Sequence, residues 1–254
     1  MKSNNLQAIY VMWLREMKRF FRAKARVIGT LAMPFFFLIS FGFGMRGSSL
    51  PGMPQISYLN FLVPGIIGMT MLFNSMFAGI SVLWDREFGF LKEILVAPVK
   101  RFAIVLGRIV GGITTALIQA ILILVLSLFL GFKVSNPFGI ILAILFMILI
   151  GIGFIGLGVI LASILETMES FSLINQLIIF PSFLLSGAFF PVSNLPKWLR
   201  LVSLINPLTY GVDGLRVSLI GFSQFPSILD FAILLIFGIL MVALGSWLFN
   251  KTEV

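Results

Sequence analysis

Residues 180–216 read FPSFLLSGAFFPVSNLPKWLRLVSLINPLTYGVDGLR. An apolar run breaks at Pro191, passes through a short amphipathic stretch, and returns through Asn206-Pro207 to a segment ending Asp213-x-x-Arg216. Non-helical backbone survives at membrane depth only where protein or water satisfies its polar groups. The stretch is therefore expected to form two short helices, over 195–205 and 207–217, dipping in from one face of a membrane. Pro196 and Pro207 suit first-turn positions, Asn206 suits a cap, and Asp213 and Arg216 are spaced to pair. A structural hairpin and a gate or exit path are both open readings of it.

The rest of the chain supplies the membrane. Hydrophobic residues make up 59% and charged residues 11%, with a mean hydropathy of +1.12, whereas soluble domains run near half apolar and a quarter charged. Apolar runs long enough to cross a bilayer as helices cover 27–45, 59–84, 102–130, 138–165, 171–190 and 228–249. Pro34 and several Gly and Phe residues interrupt the first of these. The fold class expected is all-α integral membrane with six transmembrane helices. One domain spans 1–254, with 1–26 as an interfacial helix and 27–249 as the bundle. The first 26 residues are too charged and too long for a cleaved signal.

The net charge of +9 comes from Lys and Arg crowded at the ends of apolar runs. That placement points to topology and anionic membrane lipid, not nucleic acid. Thirteen basic residues fall on the side holding both termini and the loop after the second span, against Arg46, Lys133, Lys197, Arg200 and Arg216 on the other. The bias predicts a multi-pass protein of the cell (plasma) membrane with both termini cytoplasmic. There is no Cys and no His, which removes thiol and imidazole chemistry and leaves no metal site to name. It also leaves the redox compartment undetermined.

Two cytoplasmic elements stand out. Leu6, Ile9, Tyr10, Trp13, Met17 and Phe20 recur at helical spacing, with Arg15, Lys18, Arg19, Arg22 and Arg26 on another side. This is an amphipathic helix suited to the headgroup layer, either as a plain topology anchor or also as a brace for a cytosolic partner. The second element, 84–101, alternates charges of both signs with Phe90, Leu91, Ile94 and Leu95, and Pro98 stops it. A short amphipathic helix fits that pattern.

The span interiors hold no Asp, Glu, Lys or Arg at mid-depth, and Arg108 and Asp230, near span ends, are expected to snorkel. Mild amides such as Asn74, Gln119, Asn175 and Gln176 are either helix–helix glue or parts of a pathway. Small residues at Gly107, Gly111 and Thr115, and at Gly151, Gly158 and Ala162, predict close helix packing.

The 186–216 stretch, together with Arg86-Glu87-x-Gly89, Leu95 and Pro98, resembles ABC-transporter permeases of the type-2 export family, in its drug-resistance and nodulation-type branch. The resemblance covers nearly the whole chain. It implies that 84–101 is a coupling helix docking on an ATPase, through Asp85, Arg86, Glu87, Gly89, Leu91, Glu93, Leu95, Pro98 and Arg101. It implies an external cap signature at Ser186, Gly187, Phe190, Pro191, Leu195, Pro196, Asn206, Pro207, Tyr210, Asp213 and Arg216. It further implies a working exporter of two permease copies, identical or not, and two ABC ATPase subunits that carry the ATP and Mg. The expected function is outward movement of an amphipathic or hydrophobic cargo (a drug, lipid or glycan-lipid), with no catalysis by this chain. In keeping with that, no G-x-x-x-x-G-K-[ST] occurs, so these residues cannot cradle a nucleotide in the P-loop manner. Leu185-Ser186-Gly187-Ala188 echoes an ATPase signature but sits in an apolar span.

Three rival classes are distinguishable. A membrane enzyme needs converging carboxylates, His or a metal cluster, and Asp85, Glu87 and Glu93 have no obvious partner acids. A secondary transporter or channel normally keeps ionisable groups within the membrane. A non-transporting sensor or assembly subunit shares the permease's features and differs only in cargo flux.

Overall fold

The computed structural model describes residues 5–45, 49–50, 53–87 and 101–251. Among them are nine α-helices: α1 (Asn5–Arg22), α2 (Lys24–Gly44), α3 (Tyr58–Glu87), α4 (Arg101–Phe129), α5 (Gly139–Ile164), α6 (Met168–Leu184), α7 (Lys197–Ile205), α8 (Pro207–Ile220) and α9 (Ser227–Lys251). Five contain segments long and apolar enough to cross a membrane: Val27–Gly44, Tyr58–Asp85, Phe102–Phe129, Gly139–Ile164 and Ser227–Phe249. This is an all-helical membrane protein, with one small addition that sequence patterning missed. A two-stranded antiparallel ribbon, β1 (Ser49–Leu50) with β2 (Met53–Ser57), joins α2 to α3.

The most apolar helix, α5, is the centre of the bundle, packed between α3 and α9 with α8 also against it. Lipid offers no hydrophobic driving force between helices, so close backbone approach and packing hold them. The glycines of α5 provide that approach on two sides. A Cβ added to Gly79 of α3 would lie 2.6 Å from Gly158 Cα, and one added to Gly156 would lie 2.9 Å from the Met241 carbonyl carbon of α9. Phe61, Leu62, Ile66, Met71, Phe146 and Phe154 fill the space between and are fully buried. The small-residue stripe expected on α5 is thus a packing face. That on α4 is split, because Gly107 and Gly111 face α1 while the Thr115 hydroxyl donates to Gly112 O within its own helix at 2.9 Å.

Several boundaries differ from expectation. α2 runs through Pro34 and α3 through Pro64 without a break. The expected fifth span, 171–190, is the 17-residue helix Met168–Leu184. At 1.5 Å per residue it reaches about 25 Å, short of the ~30 Å hydrocarbon thickness. Pro181 lies in its last turn, and Gly187 then takes φ +76°, which ends the helical path. The helix expected from 195 begins at Lys197, after a 3-10 turn at Val192–Asn194, so Pro196 caps it instead of lying inside its first turn. α8 meets its expectation, with Asn206 as cap and Pro207 at the first position, and Gly221 at φ +71° closes it.

Candidate functional site

At one end of the bundle, α1 lies along α4. Gly107 receives Ile9 and Met12, and Gly111 receives Glu16, where an added Cβ would lie 2.9 Å from the Glu16 Cβ. The Trp13 indole N–H donates to Thr114 Oγ1 at 3.1 Å. Trp13 therefore anchors α1 to the bundle through a polar contact, whereas an interfacial tryptophan would point its N–H to headgroups.

The centre of this joint is Asp85, in the last turn of α3 and 3% exposed. Its carboxylate accepts from Arg15 Nη1 at 3.0 Å, and Arg15 Nη2 closes the second bond of a fork. It also accepts from Arg108 Nη2 of α4, whose Nη1 donates to Ser81 Oγ at 3.3 Å. Three helices are tied through one carboxylate. Arg108, equally 3% exposed, does not snorkel. A guanidinium at that depth is too costly unpaired, and the α3 acid supplies its counter-charge. Arg19 lies 4.3 Å over the Trp84 ring and adds a second link between α1 and α3.

The residues expected to couple to an ATPase are therefore divided. Asp85 is inside, holding helices together. Arg86 and Glu87 end α3, continuous with the span, and Arg101 opens α4. Gly89, Leu91, Glu93, Leu95 and Pro98 lie outside the described residues. Sequence reasoning missed Arg15 and misread Arg108. The available signal was depth. Arg108 sits seven residues into an apolar helix, and Asp85 lies two residues from the end of the preceding one.

At the other end, the 186–216 stretch folds into a knot around Arg216, which is 2% exposed. Its Nη2 donates to Gly187 O at 3.0 Å and to Phe61 O at 3.4 Å, and its guanidinium lies 3.9 Å over the Phe61 ring. Asp213 is 3.9 Å away and accepts the backbone N–H groups of Gln224 and Phe225, each at 2.9 Å. Burial pushes the Asp213 carboxyl up from the ordinary range, while those two donors and Arg216 pull it back. Burial also lowers Arg216, to about 10, against the pull of Asp213. Asn206 Nδ2 donates to Ser182 O at 2.6 Å while its Oδ1 caps α8 by accepting the Leu208 N–H at 3.1 Å. The Tyr210 hydroxyl donates to Leu204 O at 2.8 Å, and Ser186 Oγ donates to Phe183 O at 2.7 Å.

The signature residues thus mostly satisfy backbone groups that irregular chain would otherwise leave orphaned. Pro191 is buried, Leu195 half-buried, and Phe190 and Pro196 exposed. Gly65 of α3 accommodates the turn closely, since a Cβ there would lie 2.6 Å from Ala188 O. Asp230, in the first turn of α9, is fully buried with neither carboxylate oxygen hydrogen-bonded. It does not snorkel either.

The four amides singled out as pathway residues do not form one surface. Asn74 and Gln119 line a cavity of about 60 Å³ between α1, α2, α3 and α4. Gln119 accepts from Thr30 Oγ1 of α2 at 2.9 Å, and Asn74 donates to Thr70 O at 2.8 Å. Asn175 is buried with both amide atoms unbonded, and Gln176 is exposed. Among the described residues no group of three acids could hold a metal ion.

A basic helix strapped along the bundle, a charged joint at the end of α3 and a Pro/Gly knot at the opposite end are the main polar features, and comparison gives the chain a family. The family model described as ABC-2 type transporter matches residues 7–220. The chain belongs to the ABC-2 type transporter family. Similar proteins include the inner membrane transport permease YadH of Escherichia coli K12, 29% identical over 234 residues, covering 91% of this chain and 90% of that one. The putative transport permease ycf38 of Cyanophora paradoxa is 30% identical over 217 residues, 83% of this chain and 73% of that one. The probable multidrug ABC transporter permease YbhR of E. coli K12 is 30% identical over 163 residues, 63% of this chain and 44% of that one. The protein is a permease subunit of an ABC-2 type transporter, a multi-pass protein of the cytoplasmic membrane, and carries no ATPase domain in these 254 residues.

Proposed function

We propose that this chain is the transmembrane half of an ATP-driven exporter, moving an amphipathic or hydrophobic cargo outward with a separate ABC ATPase that binds the ATP and Mg. Two permease copies, identical or not, and two ATPase subunits form the working unit. In this reading α6 together with residues 185–191 completes a sixth crossing, α7 and α8 form an external re-entrant cap, and both termini are cytoplasmic, as the basic-residue bias favours.

The observation that carries the proposal is the Asp85 joint. The segment 86–101 connects α3 to α4, and Asp85 binds those two helices to α1 immediately before it. Force applied to that segment by a docked ATPase reaches α1, α3 and α4 as one body. Such a lever operates where the bundle has two arrangements whose balance the nucleotide state shifts. The family membership supports the partner, and with no P-loop in these 254 residues the ATP site of this reading lies outside them.

Replacing Glu87 and Glu93 together by Ala tests the assignment. Cargo flux and permease-stimulated ATP hydrolysis in proteoliposomes should fall at least tenfold, while the purified chain remains folded. Wild-type flux and stimulation in the double variant contradict it.

A further inference from the structure

A cleft of about 730 Å³ opens between α1 and the end of α3. Among the described residues, four cations line it, Arg15, Lys18, Arg19 and Arg22, and one carboxylate, that of Asp85. That carboxylate is already engaged by Arg15 and by Arg108 from behind, so the open part of the cleft carries a surplus of positive charge. Trp84 forms one wall, with Arg19 stacked on it, and Val11 and Leu14 add aliphatic surface beside the cations. Lys18 and Arg22 are exposed, as are the apolar Leu6, Tyr10, Val11 and Phe21 of the same helix. A helix that exposes basic and apolar side chains together matches the plane of lipid headgroups. Within that plane the cleft combines what a headgroup phosphate and its glycerol need: several converging cations, an amphipathic indole, and apolar surface alongside.

We propose that this cleft binds the headgroup of an anionic phospholipid. The lipid headgroup bridges α1 and α3 beside the Asp85 joint. The assignment rests on α1 lying at the membrane surface, as in the exporter reading, but it needs no ATPase. What favours a lipid over an acidic protein surface is that the same helix exposes Leu6, Tyr10, Val11 and Phe21, side chains suited to the boundary between headgroups and acyl chains.

Native mass spectrometry of the delipidated full chain in neutral detergent tests it, by titration with dioleoyl-phosphatidylglycerol and, separately, dioleoyl-phosphatidylcholine. One phosphatidylglycerol should bind at least tenfold more tightly than phosphatidylcholine. The Lys18→Gln/Arg22→Gln variant should weaken that binding by roughly tenfold or more, while Lys197→Gln/Arg200→Gln, which removes the same charge elsewhere, leaves it unchanged. Equal affinity for the two lipids, or equal loss in both variants, overturns the proposal. Inorganic phosphate that is itself retained and abolishes lipid binding also overturns it, in favour of a free-anion site. Because the permease is assayed alone, failure here leaves ATPase coupling untouched, and failure of coupling leaves this result standing.

Discussion

The two polar centres of the molecule are built from the same residue types and hold the fold in different ways. Around Arg216, charges and amides are spent on main chain: carbonyls of Gly187 and Phe61, N–H groups of Gln224 and Phe225, and the carbonyl of Ser182. Around Asp85, side chain meets side chain across three helices, from Arg15, Arg108 and Ser81. Backbone partners fix a single geometry, because the chain cannot re-aim a carbonyl without refolding a turn. Side-chain forks on arginines tie one helix to another, so a displacement of one is passed to its neighbours. The first centre is suited to hold a closed end in place, and the second to transmit movement.

That contrast predicts different failures. Arg216→Ala leaves Asp213 buried without its cation and removes the donor to the Gly187 carbonyl. It should cost about 3–5 kcal/mol, seen as a large fall in thermal midpoint in detergent, and an unchanged midpoint would remove the argument for a rigid knot. Asp85→Asn keeps an acceptor but removes the charge shared by Arg15 and Arg108. Its expected stability loss is comparable, about 3–5 kcal/mol, because the buried Arg108 loses its counter-charge, while transport per folded molecule should fall at least tenfold. A variant whose folded fraction transports normally would erase the distinction between the two centres. The smallest effect is expected for Trp13→Phe, which deletes one hydrogen bond to Thr114. A loss of about 0.5–1.5 kcal/mol with near-normal transport would place α1's attachment chiefly in its packing on Gly107 and Gly111.

Much of this was legible from residue order. Apolar run length gave five of the six expected spans, because a bilayer leaves helices little alternative, and Asn206-Pro207 gave the start of α8 to the residue. The irregular stretch after α6 was placed correctly, but its length was not. Where a helix yields to a turn depended on Gly187 taking a positive φ and on Gly65 leaving room for Ala188, contacts more than a hundred residues apart. The Asp85 joint was only half-signalled, for a related reason. Periodicity assigns a charged residue to a helix end and to solvent, and only the neighbouring helix reveals that Arg108 is enclosed with an acid at its own depth. The same limit applies to Asp230, which patterning sent to the surface and packing buried.

The central claim is that this permease is driven through residues 86–101 by a separate ATPase. The most direct measurement is gentle solubilisation of the tagged full chain from its native membrane, followed by mass spectrometry of what co-purifies with the wild type and with the Glu87→Ala/Glu93→Ala variant. The account predicts a subunit bearing its own P-loop at near-equal stoichiometry with the wild type, and markedly less of it with the variant. A well-folded wild-type preparation that carries no such subunit would contradict the account.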